Sequence, residues 1–192
     1  MAGSLNYTVI LDACVLYPAP LRDLLLNLAE QGIFRARWTT TIHDEWIRNV
    51  LKNRPDLDIG KVSRTAQLMN DAIEDCLVLD FDYLVDSLSL PDKDDRHVLA
   101  AAIVGHADAI VTFNLKDFPK EIIQKHGIDV LHPDDFLVAQ YDLNSIKMLT
   151  VIKELREGLK RPPKSAQELI NTYLAQGLHQ TSKLLEDAIE LI

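Results

Sequence analysis

Along the first 140 residues, short apolar runs alternate with stretches of helical periodicity. No other feature of the chain restricts its possible folds as much. Residues 7–11 (YTVIL), 76–81 (CLVLDF), 108–113 (DAIVTF) and 128–131 (IDVL) read as strands. Residues 21–31, 41–53, 58–75, 93–106, 119–126 and 133–141 read as helices. Gly32 is placed to end the first of them, and Thr39–Thr41 supply an N-cap cluster for the second. Residues 33–38 fit a short strand or a helix edge. Strand–helix alternation predicts an α/β fold, a parallel sheet sandwiched by helices, with the ligand site beyond the C-terminal strand ends. Residues 143–192 hold no strand-like run, and Pro162–Pro163 divide them into two or three helices. The expected organisation is a domain over 1–142 and an all-α C-terminal extension over 143–192.

Composition narrows the classes. Hydrophobic residues at 47% and charged residues at 26% exclude bulk disorder in a 192-residue chain. The longest apolar run, residues 98–104, is far short of the roughly 20 needed to span a bilayer. The opening MAGSLNY lacks a secretory layout. Cys14 and Cys76 form no CxxC pair, which argues against a disulfide scaffold or zinc finger and for a reducing cytoplasm. With seven glycines there is no glycine-rich phosphate loop, and the six histidines show no HExxH spacing. The net charge of −9 is one-sided: residues 1–142 carry 13 Lys/Arg against 23 Asp/Glu, residues 143–192 seven against six.

Some of those acids fall where a site should lie. Asp12 follows the first strand directly, where a carboxylate serves as metal ligand, nucleophile or helix N-cap. Glu45 lies about 60° from Ile42 on its helix, at ~100° per residue, on the border of the apolar stripe; Asp44 points to solvent. Asp95 shares a stripe with Val98, Leu99 and Ala102 and so continues a buried face. A carboxylate there costs several kcal/mol unless something positive offsets it, and the helix dipole supplies only ~0.3–1 kcal/mol. Asp92 reads as a capping residue, and Asp94, about 100° round the helix, as more peripheral. Asn114 follows the DAIVTF strand, with Asp117 three residues on; both also suit a turn. Thr112 is placed to hydrogen-bond a neighbouring carboxylate. Packed carboxylates repel, and Mg²⁺ or Mn²⁺ held by their oxygens removes the repulsion. Phosphodiester hydrolysis is the chemistry such a centre serves.

The order Asp12 in VILDACVLYP, Glu45 in TTIHDEW, Asp95 in DDRHVLAAAI and Asn114 in AIVTFNLKDF resembles the PIN domain over about residues 5–140. PIN nucleases include the VapC-type toxins of bacterial and archaeal toxin–antitoxin pairs. The resemblance implies a Mg²⁺- or Mn²⁺-dependent ribonuclease with Asp12, Glu45 and Asp95 as metal ligands. It also implies RNA as substrate, a cognate antitoxin as partner and a homodimer. Two departures stand out. Ala13 and Cys14 occupy places where the family often has Thr or Ser, and Asn114 stands where a fourth acid is common. Asp117 or Asp94 is the candidate replacement, so the expected catalytic set is Asp12, Glu45, Asp95, Asn114 and Asp117, with Asp117 a fourth ligand. The alternative is a catalytically silent PIN-like module that binds RNA or protein. A phosphatase-type nucleophile at Asp12 is disfavoured, because Cys14 occupies the place of the second acid it would need.

Residues 35–64 are the basic part of the acidic domain, with seven Lys/Arg against four acids. Arg48 and Lys52 are i, i+4 neighbours one turn beyond Glu45, placed to hold RNA phosphates. The same charges suit an acidic antitoxin segment. Trp46 reads as core, with base stacking the other option. His97 is expected to be exposed, and Cys14 to be a small core residue.

Overall fold

The computed structural model describes residues 7–192; the reading of MAGSLN concerns residues outside that range. In chain order the elements are β1 (Thr8–Leu11), α1 (Ala13–Leu16), α2 (Ala19–Glu30), β2 (Arg35–Arg37), α3 (Thr40–Asn53), α4 (Ile59–Ala72) and α5 (Asp82–Val85). There follow α6 (Arg96–Val104), β3 (Ala109–Val111), α7 (Lys120–Ile123), β4 (Asp129–Leu131), α8 (Pro133–Gly158), α9 (Ala166–Leu174) and α10 (His179–Asp187). Local chemistry sets several bounds. Thr39 accepts from the Ile42 amide to start α3, and Asp58 accepts from the Lys61 amide to start α4. Gly32 takes φ +68° just past α2, the left-handed turn that a Cβ would disfavour.

The sheet is parallel throughout, in the order β2-β1-β3-β4 among the described residues. Helices cover both faces, so β1 and β3 are buried along their whole length and read as unbroken apolar runs. The chain leaves β1 towards β2 on one side, while β3 and β4 lie on the other. β1 and β3 therefore flank the point where strand order reverses, and the crevice beyond their C-terminal ends is where such sheets hold ligands.

Two expected elements differ. Residues 76–81 do not form a strand; they meet the sheet only at a parallel bridge between Trp38 and Leu77. The Trp38 amide donates to the Cys76 carbonyl and the Val78 amide to the Trp38 carbonyl. The next residue, Thr39, already caps α3, and Asp80 at φ +55° turns the chain away, so the ladder has no partner to extend along. The helix expected over 133–141 runs on to Gly158. It is broken only at Asn144 (φ −153°, ψ 56°), where two helices meet across a kink. The boundary expected after Asp142 falls inside this helix, beside the break.

The C-terminal helices are fastened to the rest by apolar contact and by one carboxylate. Leu169, Ile170, Tyr173, Leu178 and Leu185 join the same core cluster as the strands, with α8 and α9 packed on α2. Leu178, at the N-cap of α10, has no side-chain group to satisfy the first amides. Asp134, in the first turn of α8 and 4% exposed, supplies the cap from a distance. Its Oδ2 accepts from the Gln180 amide at 2.8 Å, and its Oδ1 from the Thr181 amide at 2.9 Å and hydroxyl at 2.7 Å. Asp134→Ala leaves these donors without acceptors. It should lower unfolding stability by about 2–4 kcal/mol in urea denaturation, with Asp134→Asn losing less.

Candidate active site

Leu11 and Val111 are register partners in neighbouring parallel strands, so the residues that follow them emerge side by side. This puts Asp12 next to Thr112. The Thr112 hydroxyl donates to Asp12 Oδ2 at 2.6 Å, and the Ala13 amide at the start of α1 donates to Oδ1 at 2.6 Å. The carboxylate is thus a helix cap and a fixed site group at once, 4% exposed. The Asn114 amide donates in turn to Thr112 Oγ1 at 3.0 Å, which ties the loop after β3 to the same pair. Cys14 is half-buried, its Sγ 3.1 Å from Asp12 Oδ2. Burial first, then the Asp12 charge, pushes its thiol up to about 12, which makes it a poor nucleophile.

Glu45 reaches the crevice from α3, whose placement depends on a buried polar chain. Trp46 Nε1 donates to His43 Nδ1 at 2.9 Å, so His43 Nε2 carries the proton and donates to Asn70 Oδ1 of α4 at 2.9 Å. Trp38 Nε1 donates to the same amide oxygen at 2.7 Å. On the other side of Trp46 the Arg22 guanidinium lies 4.9 Å from the ring centre and donates to the Leu16 carbonyl at 2.9 Å. Helix α3, which carries Glu45, is thereby locked to α4, α2 and α1. Trp46 is 1% exposed and belongs to this support, out of reach of any base.

Asp95 occupies the N-cap position of α6 without making a side-chain cap bond. Its carboxyl is pushed up to about 7. The largest cause is desolvation by burial; the charges of Asp12, Asp92, Asp117 and Glu45 follow in that order. Acids from β1, α3, the α6 entry and the loop after β3 thus each act on Asp95 through their charge. The Asp94 amide donates to Asp92 Oδ1 at 2.9 Å, so Asp92 shapes the turn before α6. Asp117 ends a 3-10 turn over Leu115–Asp117 and is partly buried, whereas Asn114 is exposed. Among the described residues no three His, Cys, Asp or Glu side chains stand close enough to share one ion. The donor set fits a hard divalent cation in chemistry: oxygen ligands, crowded negative charge and no Lys or Arg paired to it.

Two further placements matter. Arg48 and Lys52 are exposed on α3 beyond Glu45. His97 is buried at 8% exposure, contrary to the sequence expectation, and its Nε2 lies 3.1 Å from Glu45 Oε1. The signal that could have placed it is the Ala-rich run that follows. Residues 98–102 are buried on every side of α6, as in a helix wrapped by the core, so its first turn is enclosed too.

Comparison with known proteins agrees with this geometry. Residues 8–116, more than half of the chain, match the PIN domain, and residues 133–187 match the VapC50 C-terminal domain. A Mycobacterium tuberculosis (strain ATCC 25618 / H37Rv) protein named "Putative ribonuclease VapC50" is 43% identical over 77 residues. That stretch covers 40% of this chain and 46% of the relative, so the match spans just under half of the relative's length. No solved structure gives a significant match. With acids gathered at the strand-order switch and a family match across the domain that carries them, this chain belongs to the PIN-domain family.

Proposed function

We propose that the chain is a Mg²⁺- or Mn²⁺-dependent endoribonuclease and the toxin of a toxin–antitoxin pair. Its PIN domain is taken as residues 1–142 and its helical extension as 143–192. The observation that carries the reading is the crowding at Asp95, where acids from four parts of the chain meet with no positive side chain to offset them. Family membership and the name of the mycobacterial relative support it.

A bound divalent cation polarises phosphoryl oxygens and lowers the pKa of a water that attacks phosphorus. The remaining work belongs to the chain's own groups. Asp12, held by Thr112 and the Ala13 amide, is the fixed ligand. Glu45, Asp95 and Asp117 complete the oxygen set, and Asn114 orients water or substrate at its exposed edge. Arg48 and Lys52 hold RNA phosphates along α3, at a cost to affinity when salt is raised.

The antitoxin partner has a place to bind. A groove of about 560 Å³ runs between the α1–α2 junction and α3–α4, floored by Pro18, Pro20, Val50 and Val62, with Arg54 and Lys61 at its rim. An amphipathic segment with acids on its polar side suits it. Homodimerisation and a cytoplasmic location follow from the same reading. Among the described residues no helix is long and apolar enough to cross a membrane. A catalytically silent PIN module is the competing reading, favoured by the open spacing of the acids.

Asp12→Asn should abolish Mn²⁺-dependent RNA cleavage, a loss of at least 100-fold, with an unchanged circular dichroism spectrum. Cleavage at the wild-type rate sinks the assignment, and absence of Mn²⁺ uptake by the wild type in calorimetry favours the silent module. In cells, expression should arrest growth, and co-expression of the neighbouring gene should relieve it.

Charge crowding also predicts a pH dependence. The folded pKa of Asp95 lies above its unfolded value of 3.8. Its contribution to stability is fully present below about pH 4 and is lost as pH rises through about 7. In EDTA, Asp95→Asn should therefore raise the melting temperature at pH 8 by about 2–4 °C, the response to roughly 1 kcal/mol in a chain of this size. At pH 4, where the acid is already protonated, the variant should melt with the wild type.

A further inference from the structure

Building on the nuclease reading above, we infer that His97 is a positioning residue that aims the Glu45 carboxylate at the cation site. The imidazole sits in the first turn of α6, enclosed by the core, two residues after Asp95. Nε2 faces Glu45 Oε1 at 3.1 Å, and Nδ1 has no hydrogen-bond partner among the described residues. An ionised carboxylate only accepts, so Nε2 must carry the proton. The opposite tautomer would set two lone pairs against each other and bury an N–H with no acceptor.

The consequence for Glu45 is a loss of freedom in a useful direction. Its side chain is long and partly buried, and the contact with His97 is its one side-chain hydrogen bond among the described residues. A free glutamate samples many rotamers, and ordering it costs on the order of 1–2 kcal/mol. The ring of His97 is held rigidly by a helix that also presents Asp95. One bond from it engages Oε1 and leaves Oε2 available as an oxygen ligand. A single helix thus carries one ligand and aims a second that comes from α3. Donors of this kind, behind a metal-binding oxygen, typically change metal affinity 10–100-fold when removed.

Calorimetric Mn²⁺ titration of the full chain tests this, with His97→Leu, His97→Gln, Glu45→Gln and the Glu45→Gln/His97→Leu double variant. His97→Leu should bind Mn²⁺ about tenfold more weakly than wild type. His97→Gln, whose amide N–H reaches the Nε2 position, should recover most of that loss. In the Glu45→Gln background, His97→Leu should have no further effect. Equal weakening in both backgrounds, or wild-type affinity in His97→Leu, overturns the positioning role and leaves the nuclease reading standing. No Mn²⁺ uptake by the wild type overturns the nuclease reading itself, and this inference with it. Long-range ¹H–¹⁵N spectra of wild-type His97 provide a measurement that needs no variant to fold. A proton on Nε2 is expected, and a proton on Nδ1 alone overturns the proposal.

Discussion

The parallel pairing of β1 with β3 decides where every group of the site can stand. Because Leu11 lies opposite Val111, the next residues, Asp12 and Thr112, leave the sheet together and join at 2.6 Å. A slip of one residue would turn both side chains to the other face and break that contact. The register is itself secured by burial: the apolar side chains of both strands are packed on two faces, so a shifted pairing would drive the polar pair into the core. The crevice at the strand-order switch is thus a product of core packing, with its first acid fixed in the same step.

Around that fixed point the molecule accepts an electrostatic burden. Asp95 is pushed up to about 7 by desolvation and by neighbouring acids, with no cationic side chain among the described residues to relieve it. Proteins rarely keep such a cluster for stability alone, because well-packed apolar residues of similar size would serve at lower cost. The supporting structure is correspondingly elaborate. His43, Asn70 and two tryptophans lock α3 to α4, Arg22 ties α3 to the end of α1, and His97 ties Glu45 to α6. The His43, Asn70 and tryptophan bonds rigidify the core beneath α3, the helix that carries Glu45.

The C-terminal helices belong to the same cooperative body. Their apolar residues merge with the core beside α2, and Asp134 caps α10 across 46 positions of sequence. That cap joins the start and the end of the segment, residues 133–187, that matches the VapC50 C-terminal domain. Helix α8, broken at Asn144, packs on both α2 and α10.

Much of this was legible along the chain. Strand runs at 7–11, 108–113 and 128–131, the cap at Thr39, the turn at Gly32 and the position of Asp12 all follow from local periodicity and backbone chemistry, which act over a few residues. The expected strand at 76–81 failed because its partner strand ends at Trp38, a fact held by another part of the chain. The burial of His97, its bond to Glu45 and the Asp134 cap escaped notice for the same reason: the two contacts pair residues 46–52 positions apart, and a side chain's burial is set by the elements that pack over it. Sequence alone determined which acids could meet, because strand ends and apolar stripes are encoded locally. Only the tertiary structure decided how each is held, since helix packing chooses the partner of every polar atom it encloses.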